Sequence, residues 1–436
     1  MIEQLRNIFR VPELRRRVLF TCALLIVYRI GAHVPTPGVD AQALSRFFEQ
    51  QAGNLLGFFD LFSGGALRRL SVFALGIMPY ISASIILQLL AVVIPALEKL
   101  QKEGEQGRKK ITQYTRYGTV ALAAIQGLGI AVGLEGMQIG GAMVVPSPGW
   151  GFRLMTTLTL TGGTIFLMWL GEQISERGIG NGISLLIFAG IIVRMPEAIF
   201  ASWTLITQGE MNPLTFLALL ALMVAVVAGV IVMTLGQRRI PVQYAKRVVG
   251  RRVYGGQSTH IPLRVNTEGV IPVIFASSII AFPATIAQFI RHPWAQAVST
   301  WLSFGGLPYT VIYAAGIIFF TYFYTAIIFN PTDVADNMKK YGGYIPGIRP
   351  GQRTAEYIDR VLSRITLGGA IYLVAVCLLP SILIGQFNVP FFFGGTALMI
   401  VVGVGMDTIA QMETHMITRS YEGFMRRGRI RGRGGR

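Results

Sequence analysis

Ten apolar segments, separated by charged or Gly/Pro-bearing connections, set what this chain can become. They run at roughly 18–34, 72–96, 117–136, 154–171, 183–204, 213–236, 269–290, 309–329, 365–385 and 391–412. Most reach the roughly 20 residues an α-helix needs to cross a bilayer. The first and fourth are shorter and need tilt or flanking residues to span. In hydrocarbon every backbone N–H and C=O must be satisfied inside the protein, which leaves helices and closed barrels. No alternating pattern of strand-length segments is present, so helices remain. Composition agrees: 52% of residues are hydrophobic and 14% charged, against about 25% charged in soluble domains. The 51 glycines suit helices that approach closely in lipid. The expectation is an all-α polytopic membrane protein with ten transmembrane helices.

The net charge of +18 has three sources to choose from: nucleic acid, anionic lipid, or the topology signal itself. Position decides. The connections 1–17, 97–116, 172–182, 237–267, 330–364 and 413–436 hold 32 of the 39 Lys and Arg residues. The alternate connections, 35–71, 137–153, 205–212, 291–308 and 386–390, hold five, and Arg29 and Arg194 lie inside apolar segments. The positive-inside rule then places both termini in the cytoplasm. The ten helices divide into an N-terminal half, 1–204, and a C-terminal half, 213–412, followed by a basic tail, 413–436. Five helices per half start the second half on the opposite side from the first. Structurally alike halves therefore form an inverted pseudo-repeat, an inference from topology because no convincing identity links them.

Ionisable residues inside the membrane mark the pathways of pumps and transporters. Here they are few. Arg29, the pair Arg194 and Glu197 around Pro196, and Asp407 all sit near segment ends and read as snorkelling or end-paired charges. Cys22 and Cys377 lie in apolar runs and read as small core residues, with no disulfide and no metal site expected. The first 20 residues, MIEQLRNIFRVPELRRRVLF, are not expected to be a removable signal peptide. There is no phosphate-binding glycine loop, no catalytic constellation and no cofactor motif. The chain reads as a passive conduit or scaffold whose energy source is external, not as an enzyme.

Two basic connections carry more than topology. Gln237 to Asn266 holds seven Lys/Arg and no acid, and its centre, VVGRRVYGG, has strand formers with glycines at bends. That pattern predicts a hairpin-like finger with Arg251 and Arg252 near its tip. In the second, 330–364, the turn GIRPG restricts Arg349 to extended geometry ahead of Pro350 and presents it outward. A forked guanidinium held this way suits a carboxylate or a phosphate. The Arg/Gly tail is low in complexity and carries no assignment.

A third stretch, FFDLFSGGALRRLS at 58–71, is too short to cross a membrane and is broken by glycines. Phe58, Phe59, Leu61 and Phe62 supply apolar bulk, while Gly64 and Gly65 break a helix and let it pivot. Arg68 and Arg69 mark an aqueous boundary. Its plain alternative is an ordinary outer loop.

Seven long stretches taken together resemble one family. They include CALLIVYRIG, LFSGGALRRLSVFALGIMPYISASII, EGEQGRKKITQYTRYGT, LMWLGEQISERGIGNGIS, GRRVYGGQSTHIPLRVN, GVIPVIFASSII and IPGIRPGQRTAEYID. They resemble the SecY family of protein-conducting channels from about Arg15 to Glu422, with the outer loop after the third helix matching least. The resemblance implies two five-helix halves around a central pore in the bacterial cytoplasmic membrane. It makes residues of about 57–70 a plug folded into the pore's outer funnel. It also implies a pore ring of Ile77, Ile81, Ile183, Ile187, Ile274 and Ile400. A lateral gate would lie between the second and third helices and the seventh and eighth, near Ser82, Ser84, Gln88, Gln126, Ser277 and Ser278. By the same resemblance Arg251, Arg252 and Arg349 face the SecA motor and the ribosome. SecE and SecG would complete the membrane complex, and signal peptides, nascent polypeptides and membrane lipids would be its other contacts. Two competing readings are a secondary transporter of a small solute, which would need a midplane polar site, and a membrane scaffold for ribosomes or RNA.

Overall fold

The computed structural model describes residues 11–39, 44, 60, 63–136, 138–139, 142–209, 212–244, 247–249, 252–254, 258–266, 269–289, 306–387 and 395–427. It divides into two compact units, one of Met1–Ile199, Ala281–Thr300 and Val404–Arg436, the other of Phe200–Ile280 and Trp301–Gly403.

In the first unit α1 spans Pro12–Gly31, α2 Met78–Val93, α3 Pro95–Lys102 and α4 Glu105–Glu135. A two-strand hairpin follows, β1 Gln138–Ile139 with β2 Ala142–Met143, then α5 Trp150–Arg177, α6 Gly182–Val193 and α7 Met195–Thr207, which passes into the second unit at Phe200. The second apolar segment of the sequence does not form one straight helix. Its first residues, 72–77, are turns, and α2 starts only at Met78 with a proline in its first turn. At Ile94, φ −97° and ψ 112°, the chain leaves the helix and bends by 106° into α3. The cause is Pro95, whose ring forbids the α conformation to the residue before it.

The fifth segment is likewise split. Arg194 terminates α6, and Pro196, which has no N–H to donate, opens α7. Between α4 and α5 the core is apolar, built from Leu70, Ala74, Ala123, Ile130, Leu134, Phe152 and Leu160. One end of this pair is closed by Glu135, which accepts from the Gly149 N–H at 2.8 Å and from both Nε and Nη2 of Arg153. Gly163 on α5 is obligatory in this packing: a Cβ there would overlap the carbonyl oxygen of Val72.

In the second unit α8 spans Pro213–Leu235. Then come β3 Gln237–Tyr244, β4 Arg247–Val249, β5 Arg252–Tyr254 and β6 Ser258–Arg264. The helices α9 Ile271–Phe289, α10 Leu307–Ile328 and α11 Pro331–Lys340, the strand β7 Gly343–Tyr344 and the helices α12 Gln352–Phe387 and α13 Gly395–Arg427 complete the chain, with α9 from Ala281 and α13 from Val404 counted in the first unit. β3 pairs antiparallel with both β6 and β7. The helix α8 shows what the chain is made for. Its apolar window has a mean hydropathy of 3.0, yet only 6% of it is buried. A helix apolar all round and left uncovered by the described residues is a helix for lipid or for a membrane partner.

Among the described residues six helices are long and apolar enough to cross a membrane, or seven if the bent pair α2–α3 counts as one. The difference from the ten expected from the sequence coincides with local features. α1 carries Glu13, Arg15, Arg16, Arg17 and Arg29 in its 20 residues. α6 and α7 are 12 and 13 residues because Arg194 and Pro196 divide them. The described apolar part of α9 is Ile271–Ile280.

Candidate functional site

The segment ahead of α2 is a compact turn docked against α1 and α6. Asp60 is 2% exposed and organises it. Its backbone carbonyl accepts from the Gly65 N–H at 2.9 Å and from the Ser63 hydroxyl at 3.1 Å. Its carboxylate accepts the Arg68 N–H at 2.9 Å through Oδ1, and Nη1 of Arg194 at 2.9 Å through Oδ2. Ser63 Oγ in turn accepts the Leu67 N–H at 3.2 Å. Both Gly64 and Gly65 sit at positive φ, +65° and +84°, where a side chain is disfavoured. The Gly64 position also lies against Gly190 of α6, at a separation that a Cβ would reduce to 3.0 Å.

From α1, the Tyr28 hydroxyl donates to the Ser63 carbonyl at 3.3 Å, and Arg29 Nη1 donates to the Gly64 carbonyl at 2.8 Å. At the far end Leu70 has φ +40°, an uncommon value for leucine, held by burial and by its carbonyl, which accepts the Thr36 N–H at 2.8 Å. Phe58, Phe59, Leu61 and Phe62 lie outside the described residues. Arg29, Arg194 and Glu197, read from sequence as ordinary helix-end charges, are contacts of this segment: Arg68 Nη2 stands 3.6 Å from the Glu197 carboxylate. Sequence reasoning missed the Asp60–Arg194 pair. The available signal was a lone acid and a lone Arg, each in an otherwise apolar stretch.

Ile77 caps α2 and Ile81 follows one turn on, both 6% exposed. Ile187 of α6 is 2% exposed and Ile183 is half-buried. These four belong to the first unit, and the buried Ile274 and Ile400 to the second. Of the polar residues expected at a seam, Ser82 and Gln126 are half-buried. Gln88 donates to Ser84 within its own helix at 3.3 Å, and Ser277 donates to the Ile274 carbonyl at 2.9 Å. Ser278 is buried, and its hydroxyl has no hydrogen-bond partner among the described residues.

The two basic connections build one small domain. In β3, Ile240 and Val242 alternate inward and meet Leu263 of β6, Met338 of α11, Ile345 and Ile358 of α12. Beyond it β4 and β5 pair as a hairpin in which Val249 faces Arg252, so Gly250 and Arg251 lie between the strands and outside the described residues. Arg349 is exposed on the turn from Ile345 to Gly351. Gly347 and Gly351 at φ +82° and +103°, and a bond from the Thr354 hydroxyl to the Arg349 carbonyl at 2.9 Å, fix that turn.

A model of the SecY family matches residues 71–409. The protein translocase subunit SecY of Escherichia coli K12 is 53% identical over 426 residues, covering 97% of this chain and 96% of that protein. The chain belongs to the SecY family. It is a multi-pass helical membrane protein with the SecY fold, and likeness to solved structures extends the fold further afield. A structure concerned with the SecY plug domain, which stabilises the closed state of the translocation channel and maintains a membrane seal, matches with TM-score 0.64 and 19% identity. The match covers 93% of each chain. The channel of a canine ribosome-channel complex from the endoplasmic reticulum matches with TM-score 0.60 and 16% identity, again over 93% of each chain.

Proposed function

We propose that this chain is the protein-conducting subunit of a bacterial translocase, passing unfolded secretory polypeptides across the cytoplasmic membrane and releasing apolar segments sideways into lipid. The observation that carries the reading is near-complete membership of the SecY family, at 53% identity over 97% of the chain. It is a channel subunit and not an enzyme. The apolar segments support ten transmembrane helices, five per half in 1–204 and 213–412 support an inverted pair, and the charge asymmetry of the connections supports cytoplasmic termini.

The mechanism needs a barrier that yields to a polypeptide but not to ions. A ring formed by Ile77, Ile81, Ile183, Ile187, Ile274 and Ile400 would supply it, because branched apolar side chains dewet a constriction yet offer a passing chain no bond to break. Residues 57–70 would plug the outer funnel while the channel is idle; the docked turn around Asp60 and the pivoting pair Gly64 and Gly65 support this. Sideways release would part α2 and α4 from α9 and α10. Hydrogen bonds between membrane helices contribute only about 0.6 kcal/mol on average, so a seam of a few polar contacts opens readily.

The small domain with Arg251, Arg252 and Arg349 is the docking face for the SecA motor and the ribosome; SecE and SecG complete the complex. Its exposed Arg349 on a braced turn supports this, as does the ribosome-bound state of the canine channel. Gln126→Leu is expected to shift export of a weak-signal substrate by about threefold relative to a strong-signal one, on the scale of one interhelical hydrogen bond. Pulse-labelled export of both substrates checks this, and unchanged export of the weak one counts against Gln126 at the seam.

The whole reading is tested with the purified complex in liposomes. A signal-bearing polypeptide should become protease-protected when the motor and ATP are supplied. Uptake of a small solute with no polypeptide protection would replace the channel with the transporter.

A further inference from the structure

Opening the channel requires the docked turn to leave, and its attachments are unequal. Inside the turn, Gly65 N–H, Ser63 Oγ and Arg68 N–H all bond to Asp60, so these residues move together. The bonds from Tyr28 and Arg29 reach backbone carbonyls, which any sequence would offer. The Arg68–Glu197 pair is 3.6 Å long with Glu197 60% exposed, and exposed pairs of that kind contribute little. The Asp60–Arg194 pair differs on every count. It is 2.9 Å long, its side chains are 3% and 17% exposed, and it joins the turn to the break between α6 and α7. The interruption at Arg194 and Pro196 and the contact of Gly64 with Gly190 bring the guanidinium within reach of the carboxylate.

We propose that the buried Asp60–Arg194 ion pair is the latch that holds the plug shut, making Arg194 a positioning residue that sets how readily the channel opens. The inference rests on the reading of residues 57–70 as the plug. Removing the Arg194 guanidinium leaves the Asp60 carboxylate, 3% exposed, without this counter-charge in the docked state, and neutralising Asp60 removes the contact itself; either favours undocking. The undocked turn carries Asp60 and Arg68 into water together, where neither needs a partner.

The test uses the full translocase complex in membranes, with Cys22→Ser and Cys377→Ala removing the native thiols. A single cysteine is then placed at Ser63, which is 4% exposed and shielded while the turn is docked. A membrane-impermeant maleimide is applied from the outer side. Arg194→Gln and Asp60→Asn are each expected to raise the labelling rate and the ion leak by about tenfold, a value below the full cost of a lost buried pair because Arg194 is partly exposed. The double variant is expected to exceed neither single variant, and the exchanged pair, Asp60→Arg with Arg194→Asp, to return most of the protection. Arg194→Lys keeps the charge without the fork, guards against a folding defect, and is expected to fall between wild type and Arg194→Gln.

Deletion of residues 58–70 separates the two claims. If deletion raises the leak while Arg194→Gln and Asp60→Asn label at the wild-type rate, the plug stands and the latch is overturned. If deletion leaves the leak unchanged, the plug reading falls and the latch falls with it.

Discussion

Reversing one charge, Arg349→Glu, is expected to reduce motor-driven export at least about thirtyfold while leaving the membrane helices folded. Losing one partner of a hydrogen-bonded interfacial charge pair costs about 2–5 kcal/mol, and reversal adds repulsion from the same carboxylate or phosphate. The turn that carries Arg349 is braced by two glycines at positive φ and by Thr354, so the side chain cannot retreat cheaply. Arg349→Lys should recover only part of the activity, because an ammonium lacks the fork that matches planar anions. Four residues on, Arg353 is 77% exposed and paired at 3.5 Å with Glu356 of its own helix, and Arg353→Gln should stay within about twofold of wild type. Translocation of a radiolabelled precursor into inverted vesicles measures all three. Equal losses at 349 and 353 would mean that general basicity, not one presented guanidinium, engages the partner.

Ile358→Asp should have the larger structural effect. Ile358 is fully buried, among Ile240, Val242, Leu263, Met338 and Ile345 from both basic connections. An unpaired carboxylate there costs on the order of 4 kcal/mol or more, enough to unfold a core this small. The membrane helices are stabilised separately, so the loss is local. Limited proteolysis in vesicles should then cut both 237–264 and 341–351 faster than in the wild type, and both motor-driven export and ribosome binding should fail together. Ile358→Val, which removes one methyl group, should cost only about 1 kcal/mol and keep protection. Cleavage of one connection with the other intact would contradict a shared core.

Much of this architecture is written locally. Each apolar segment contains a helix, because backbone satisfaction in lipid leaves no other local solution. The finger is legible for a similar reason: β-branched residues between glycines fold only as a tight pairing, and β4 and β5 pair across residues 250–251. Where the reading stopped short, the deciding interaction was distant in sequence. The bend at Ile94 is the exception: its cause, Pro95, is the next residue, yet hydropathy runs straight through it. Asp60 and Arg194 are 134 residues apart, and no periodicity links them. The core joining Ile240 to Ile358 spans two connections that looked independent when each was judged by its own charge. The isoleucines illustrate the limit: Ile77 and Ile81 lie one helical turn apart by spacing, but the proposal that they share a ring with Ile274 and Ile400 rests on kinship rather than on spacing.

A polypeptide caught in transit tests the central claim most directly. One cysteine replaces Ile81 and, in a second protein, one replaces Phe62, with Cys22 and Cys377 removed. A secretory chain bearing a cysteine of its own is stalled midway in membrane vesicles, and disulfides to it are scored. The channel account predicts a crosslink at position 81 that appears only when the chain carries its signal sequence. No crosslink at 81, with solute uptake intact in the same vesicles, would contradict it.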